Sequence, residues 1–248
     1  MINIAINGFF GKMGQAILLE SQNLSSCVIT IGIDKEELIE SNSVDNVRLT
    51  SDISEHVDNF DVVIDFSLPN SSLEVAKICV AHNRPLVIGT TGFTQMDLNV
   101  ISDYSKNIPI LLAPNMSIGV NASFNAISAL SKLLPNHKVH IEETHHKNKI
   151  DSPSGTALKF ANLVCEARGE NLGDITSKHC PITFQSHRKD TEIGIHTITF
   201  AGTADEIVFT HTADSRNIFA NGALKTAEWL TQQKPGFYNY KNYMDSIS

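Results

Sequence analysis

The chain begins MINIAINGFFGKMGQAILLE (residues 1–20), and within it Gly8-Phe9-Phe10-Gly11-Lys12-Met13-Gly14 decides how the first half folds. Ile2, Ile4 and Ile6 alternate into a buried strand, Gly8 ends it, and helical spacing starts near Met13. Gly8, Gly11 and Gly14 at such a strand-to-helix turn would let the backbone bend tightly, approach a pyrophosphate and pack helix on strand. The phosphate would rest on free N–H groups at the helix start. Phe9 and Phe10 stand where a dinucleotide needs bare backbone, so the glycine spacing needs support from elsewhere in the chain.

That support lies downstream. Asp34 ends the second expected strand, where a carboxylate accepts hydrogen bonds from an adenosine ribose. Lys35 beside it suits a ribose 2′-phosphate, so the acid and base together leave both NADH and NADPH open. Asp65-Phe66-Ser67 and Gly89-Thr90-Thr91-Gly92 close two further strands at their carboxyl ends, where open parallel sheets bind ligands. Small residues at 89–92 would let a nicotinamide ring approach the backbone. Strands expected at 2–7, 28–33, 61–67, 85–90 and 108–114 alternate with helices at 13–22, 71–82 and 95–106. This alternation implies an α/β fold, a doubly wound parallel sheet of Rossmann type.

Past residue 115 the texture changes. A helix is expected at 120–134, a strand at 138–144, a helix at 156–166, and two strands within 192–213 joined by Ala201-Gly202-Thr203-Ala204. Neighbouring strands with a short turn imply an antiparallel or mixed sheet in a second, α+β domain. A last amphipathic helix at 218–232 precedes a tyrosine-rich tail. The expected domains are 1–116 for a dinucleotide, completed by a C-terminal helix within 217–248, and 117–216 for substrate and oligomer contacts.

Composition excludes several classes. With 248 residues, 42% hydrophobic and 19% charged, the chain is an ordinary globular protein. No apolar run approaches the roughly 20 residues that span a bilayer, and no basic, then apolar, leader opens the sequence. Cys27, Cys79, Cys165 and Cys180 are scattered, which fits reduced thiols in the cytoplasm. A net charge of −8 argues against wrapping nucleic acid.

The second concentration of chemistry is EETHHKNKIDSPSGTA, residues 142–157. His145 and His146 end a strand, and Lys147 and Lys149 follow at once. Histidine is the natural general acid near neutral pH, and lysine supplies fixed positive charge. Pro153 can open a helix, and Ser154-Gly155-Thr156 would leave N–H groups free at its first turn, an anion seat suited to a carboxylate. A small substrate carrying carboxylates fits this loop. Zinc is the rival use of Glu143, His145, His146, His196 and His211. It is disfavoured because no H-E-x-x-H occurs and adjacent histidines on a strand face opposite ways. A cysteine-based aldehyde dehydrogenase lacks a motif for an activated thiolate.

These residues resemble the dihydrodipicolinate reductase family, also named 4-hydroxy-tetrahydrodipicolinate reductases, over nearly the whole chain. The resemblance rests on INGFFGKMG, DVVIDFS, VIGTTGF, APNMSIGVN, EETHHKNKIDSPSGTA, the segment from Arg188 to Thr197, and SRNIFANGAL. It implies NAD(P)H-dependent reduction of a cyclic dicarboxylate in the diaminopimelate route to lysine. It implies that His145 protonates the substrate as hydride arrives and that Lys149 holds a carboxylate and steadies developing charge. His146, Ser154, Gly155 and Thr156 would complete the carboxylate seat. Gly8, Lys12, Met13 and Asp34 would hold adenosine and pyrophosphate, while Gly89, Thr91 and Ala113 to Asn115 frame the nicotinamide. A cytoplasmic homotetramer is expected. The alternative is a nucleotide-sensing protein without turnover, which would have no need of His145, Lys149 and an anion seat together. The chain departs from the family pattern at Phe10, usually glycine, and at Asp190 and Ile195, usually glycine and glutamate. A shortened loop is expected near 180–187.

Overall fold

A computed structural model describes residues 1–247 except 148, 178, 190 and 191. The departure noted at Asp190 therefore lies outside the described residues. The chain divides into two compact units, one formed by Met1–Ile118 with Asn217–Ser248 and the other by Gly119–Arg216.

The first unit runs β1 (Ile2–Asn7), α1 (Lys12–Ser21), β2 (Cys27–Ile33), α2 (Glu36–Glu40), β3 (Arg48–Thr50), a 3₁₀ turn (Ile53–Asn59), β4 (Val62–Asp65), α3 (Pro69–Ala81), β5 (Leu86–Ile88), α4 (Gln95–Tyr104) and β6 (Pro109–Leu112). After the second unit the chain adds α7 (Asn217–Leu230), β11 (Gly236–Tyr238) and α8 (Tyr240–Ser246). The strands form one parallel sheet in the order β11-β6-β5-β4-β1-β2-β3. Both faces are covered, so the period of two sorts the strand residues between two cores. Ile4, Ile6, Ile64, Val87 and Leu111 meet α1, α7 and α8 on one face, and Ala5, Val63, Leu86, Ile88 and Ile110 meet α3 and α4 on the other. The doubly wound parallel sheet expected from the alternating runs is the observed fold.

The C-terminal segment differs from the tyrosine-rich tail, and from the single closing helix, that the sequence suggests. Gly236, Phe237 and Tyr238 pair with Pro109, Ile110 and Leu111 as the seventh strand. Tyr240 and Tyr243 are buried in α8, and the Tyr240 hydroxyl donates to the Met116 carbonyl at 2.6 Å. Three residues are too few for a periodic signal. Here Trp229 supplies the tertiary reason, stacking edge-on with Tyr238 at 5.4 Å and with Tyr243 at 5.8 Å.

The second unit contains α5 (Ile118–Leu133), β7 (Lys138–His145), α6 (Gly155–Arg168), β8 (Ile182–Arg188), β9 (Gly194–Ala201) and β10 (Glu206–Ala213). Its mixed sheet has the order β10-β9-β7-β8, with β8 parallel to β7 and β9 antiparallel to both β7 and β10. The segment expected as a loop near 180–187 is thus largely strand. Its sequence, ITFQSHR, carries few apolar residues because β8 is an edge strand with one neighbour. Val139, Ile141, Ile198 and Phe200 share a core with Phe160, Ala161 and Val164 of α6. β7, α6 and β8 form a strand-helix-strand crossover, so the carboxyl end of β7 meets the start of α6. That junction is where ligands of parallel pairs bind.

Candidate active site

In the first unit the glycine-rich turn is set by backbone contacts. Gly8 has φ +79°, and a Cβ there would sit 2.5 Å from the Phe66 carbonyl oxygen, so only glycine fits. A Cβ on Gly14 would lie 2.4 Å from the Phe9 carbonyl oxygen. The phenylalanines do not obstruct the turn. Phe9 is fully buried, its ring lying 2.7 Å from where a Gly32 Cβ would stand. Phe10 packs edge-on against Phe9 at 5.2 Å and uses its N–H to reach Asp34 Oδ2 at 2.8 Å. Residue 10 is not among the positive-φ positions, so its backbone accommodates a side chain.

Asp34, expected at the ribose, therefore also straps the turn, and its Oδ1 accepts from the Lys35 N–H at 2.9 Å. Gly11 caps α1 without a side-chain hydrogen bond. The first-turn N–H groups, at Lys12 and Met13, are then left for an anion. At Gly89 a Cβ would stand 2.1 Å from Cε1 of Phe66. The small size of this glycine accommodates the Phe66 ring. Thr91 is exposed, Ala113 buried and Asn115 half-buried.

Beneath these strand ends lies a buried carboxylate. Asp65 is fully enclosed and its Oδ1 accepts from Asn7 Nδ2 at 2.8 Å and from Ser67 Oγ at 2.6 Å. Its Oδ2 accepts from Thr90 Oγ1 at 2.9 Å and from Ser72 Oγ. Burial pushes its carboxyl upward, against the pull of those four donors. The hub joins the ends of β1, β4 and β5 to α3.

In the second unit, strand register assembles the chemistry. Glu143 and His145 share one face of β7, since the side-chain period is two. Glu143 is opposed by Ser186 on β8 and by His196 on β9, and His145 by Arg188 on β8. All three of Glu143, His145 and His196 are buried. The Ser154 N–H donates to both Glu143 oxygens at 3.0 and 3.1 Å, and Ser186 Oγ donates to Oε1 at 2.9 Å. Arg188 Nη1 adds positive charge 3.6 Å from Oε1. Burial pushes the Glu143 carboxyl up, but these hydrogen bonds and the nearby His145 charge bring it below the ordinary value.

Ser154 caps α6, its Oγ accepting from the Ala157 N–H at 3.2 Å and lying 3.1 Å from His196 Nε2. The contact engages His196 Nε2 with the serine hydroxyl, and the tautomer sets which of the two donates. Burial first, then the His145 charge, pushes the His196 imidazole down to about 4. Burial also lowers His145, opposed by Glu143 and assisted by Lys149 and Arg188. His145 Nδ1 lies 3.7 Å from Glu143 Oε2, with no hydrogen-bond partner among the described residues. Its Nε2 faces the other way, 3.2 Å from where a Gly194 Cβ would stand. An alanine there would crowd the nitrogen, and Gly194→Ala is expected to lower kcat by ~10-fold in a folded protein. Turnover within twofold of wild type would show that Nε2 is not the working nitrogen.

The expected carboxylate seat holds carboxylates of the protein itself. The Ser154 N–H serves Glu143, while Asp151 pairs with Lys149 Nζ at 2.8 Å and accepts from the Gly155 backbone. Arg188 fixes this loop through Nε to the Lys149 carbonyl at 3.2 Å and Nη2 to the Asp151 carbonyl at 2.5 Å. Thr156 and His146 are half-buried beside it in sequence. Of the five residues weighed for zinc, Glu143, His145 and His196 offer ligand atoms within 4.8 Å of one another. Their convergence was not legible because His196 arrives from β9. Burial pushes the Cys27, Cys79 and Cys165 thiols up, away from a reactive thiolate.

Residues 2–116 match the family model described as dihydrodipicolinate reductase, N-terminus, and residues 119–244 match dihydrodipicolinate reductase, C-terminus. The chain belongs to the dihydrodipicolinate reductase family. Family members use NADH or NADPH, bound by the N-terminal domain. A 4-hydroxy-tetrahydrodipicolinate reductase from Geotalea uraniireducens is 33% identical, with 98% of this chain and 99% of that one covered. One from Syntrophotalea carbinolica is 34% identical over the same shares. Among solved structures, a dipicolinate-bound dihydrodipicolinate reductase from Paenisporosarcina sp. TG-14 superposes with a TM-score of 0.81 at 26% identity, covering 96% of this chain and 97% of that one. Among the described residues, no helix is long and apolar enough to cross a membrane.

Proposed function

We propose that this chain reduces 4-hydroxy-tetrahydrodipicolinate with NADH or NADPH, within the diaminopimelate route to lysine. The carrying observation is the second-unit site, where buried His145 sets Nε2 against Gly194 at the end of β7, and the chain then leads directly to Lys149 and the start of α6. The nicotinamide cofactor supplies the hydride. His145 gives the proton from Nε2, and Lys149 holds a substrate carboxylate. That carboxylate would displace Asp151 from Lys149 Nζ and from the Gly155 N–H, with Thr156 and His146 closing the seat. In the first unit the Lys12 and Met13 N–H groups would take the pyrophosphate. Asp34 and Lys35 would meet the adenosine ribose, and Thr91, Ala113 and Asn115 the nicotinamide end. The dipicolinate bound to the relative from Paenisporosarcina is a small dicarboxylate, which supports the same class of ligand here.

A nucleotide sensor without turnover is not favoured, because it gives no reason for a buried imidazole with Lys149 following it in the same loop. The cytoplasm and a homotetramer complete the proposal. The deciding experiment mixes purified protein, NADH or NADPH, and the condensation product of pyruvate and aspartate semialdehyde. Loss of nicotinamide absorbance is expected, and none with either cofactor would overturn the reading. Chelation with EDTA is expected to leave this turnover unchanged. Activity lost to the chelator and restored by zinc would instead assign Glu143, His145 and His196 to an ion.

A further inference from the structure

Glu143 has no part in the reading above, yet it is the most heavily engaged acid in the second unit. It sits one strand period before His145, almost fully enclosed, with both oxygens fixed by the Ser154 N–H and Ser186 Oγ. Two imidazoles face its Oε2 at 3.7 Å, through His145 Nδ1 and His196 Nε2. His196 Nε2 already has a nearer partner in the Ser154 hydroxyl, at 3.1 Å. His145 Nδ1 can use the charge, being buried and unpartnered among the described residues.

We infer that Glu143 is the positioning residue for proton delivery, keeping His145 protonated on Nδ1 so that Nε2 alone, on the Gly194 side, gives up the proton. The inference rests on the proposed donor role of His145. A buried acceptor beside a buried ring nitrogen selects the tautomer, because the reverse arrangement would set a lone pair against a carboxylate. The present 3.7 Å is an ion-pair separation, and closing by somewhat under ~1 Å makes it a hydrogen bond. In the step itself the 4-hydroxyl leaves as water, and a hydride from the nicotinamide together with the Nε2 proton would add across the double bond so formed. The Nδ1 proton stays on the ring, Glu143 stays ionised, and solvent later restores the Nε2 proton.

The groups facing His145 set the sign of the test. Glu143 on β7 and Asp151 in the following loop favour the imidazolium; Lys149, Arg188 on β8 and His196 on β9 oppose it, as does burial. Glu143→Gln keeps an oxygen for Ser154 and Ser186 but removes the charge. It is expected to lower kcat by about 10²-fold and to move the alkaline fall of kcat to lower pH by roughly one unit or more. Glu143→Gln in a His145→Gln background is expected to add nothing further. A purely structural Glu143 would leave the pH profile in place and add its loss to that of His145→Gln, which would overturn the inference.

A second measurement needs no variant. Imidazole ¹⁵N NMR of the wild-type protein is expected to show neutral His145 protonated on Nδ1, and an Nε2–H tautomer would overturn the assignment. If His145→Gln keeps full turnover, the donor role falls and this inference with it. If His145→Gln is impaired but Glu143→Gln keeps wild-type turnover and pH profile, only the role of Glu143 falls.

Discussion

His145→Gln is expected to lower kcat by about 10³-fold while KM for both substrates stays within a few-fold of wild type. Glutamine keeps the polar bulk but has no titratable proton to deliver. Because the imidazole is buried at the end of β7 and its Nδ1 holds no hydrogen-bond partner among the described residues, ligand binding should survive its loss. Steady-state kinetics at saturating cofactor, with single-turnover runs to isolate the chemical step, would check this. A variant retaining kcat within about threefold of wild type would remove His145 from the chemistry and direct attention to Lys149.

Asp65→Ala is expected to destabilise the first unit by about 3 kcal/mol or more, because it strands buried donors on Asn7, Ser72 and Thr90. For a protein of this size that is a fall in melting temperature of ~8 °C. Asp65→Asn, which keeps the shape and one acceptor, should lose less. The same substitution should weaken cofactor binding, since the hub fixes Ser67 and Thr90 at the ends of β4 and β5. Ser67 and Thr90 are linked directly, the Ser67 N–H donating to Thr90 Oγ1 at 2.9 Å. Thermal unfolding and NADH titration would measure the two effects. An alanine variant as stable as wild type would mean that water satisfies the stranded donors.

Much of the fold was legible because it follows from short-range periodicity. Ile2, Ile4 and Ile6 feeding Gly8, and strand-like runs alternating with helical ones, could be read one segment at a time. The elements that escaped are those whose reason lies in a distant partner. Gly236 to Tyr238 is a strand only because β6 offers it an edge. Ile182 to Arg188 is one because β7 does. Gly89 was legible as a glycine but not for its cause, the ring of Phe66.

The site divides in the same way. The sequence alone determined that a glycine turn with Asp34 downstream and a histidine-lysine loop ahead of SPSGTA belong to one reductase family. Motifs like these are local, held by backbone conformation and neighbours in the chain. Tertiary structure decided what surrounds His145: Glu143 beside its Nδ1, Gly194 before its Nε2, and His196 pushed toward its neutral form by burial. Those relations depend on the register of β7 with β8 and β9, and register is fixed by how buried side chains pack across strands far apart in sequence. Phe9 and Phe10 show both levels at once. In the sequence they crowd a phosphate turn, while in the fold one is buried against Gly32 and the other needs only its N–H for Asp34.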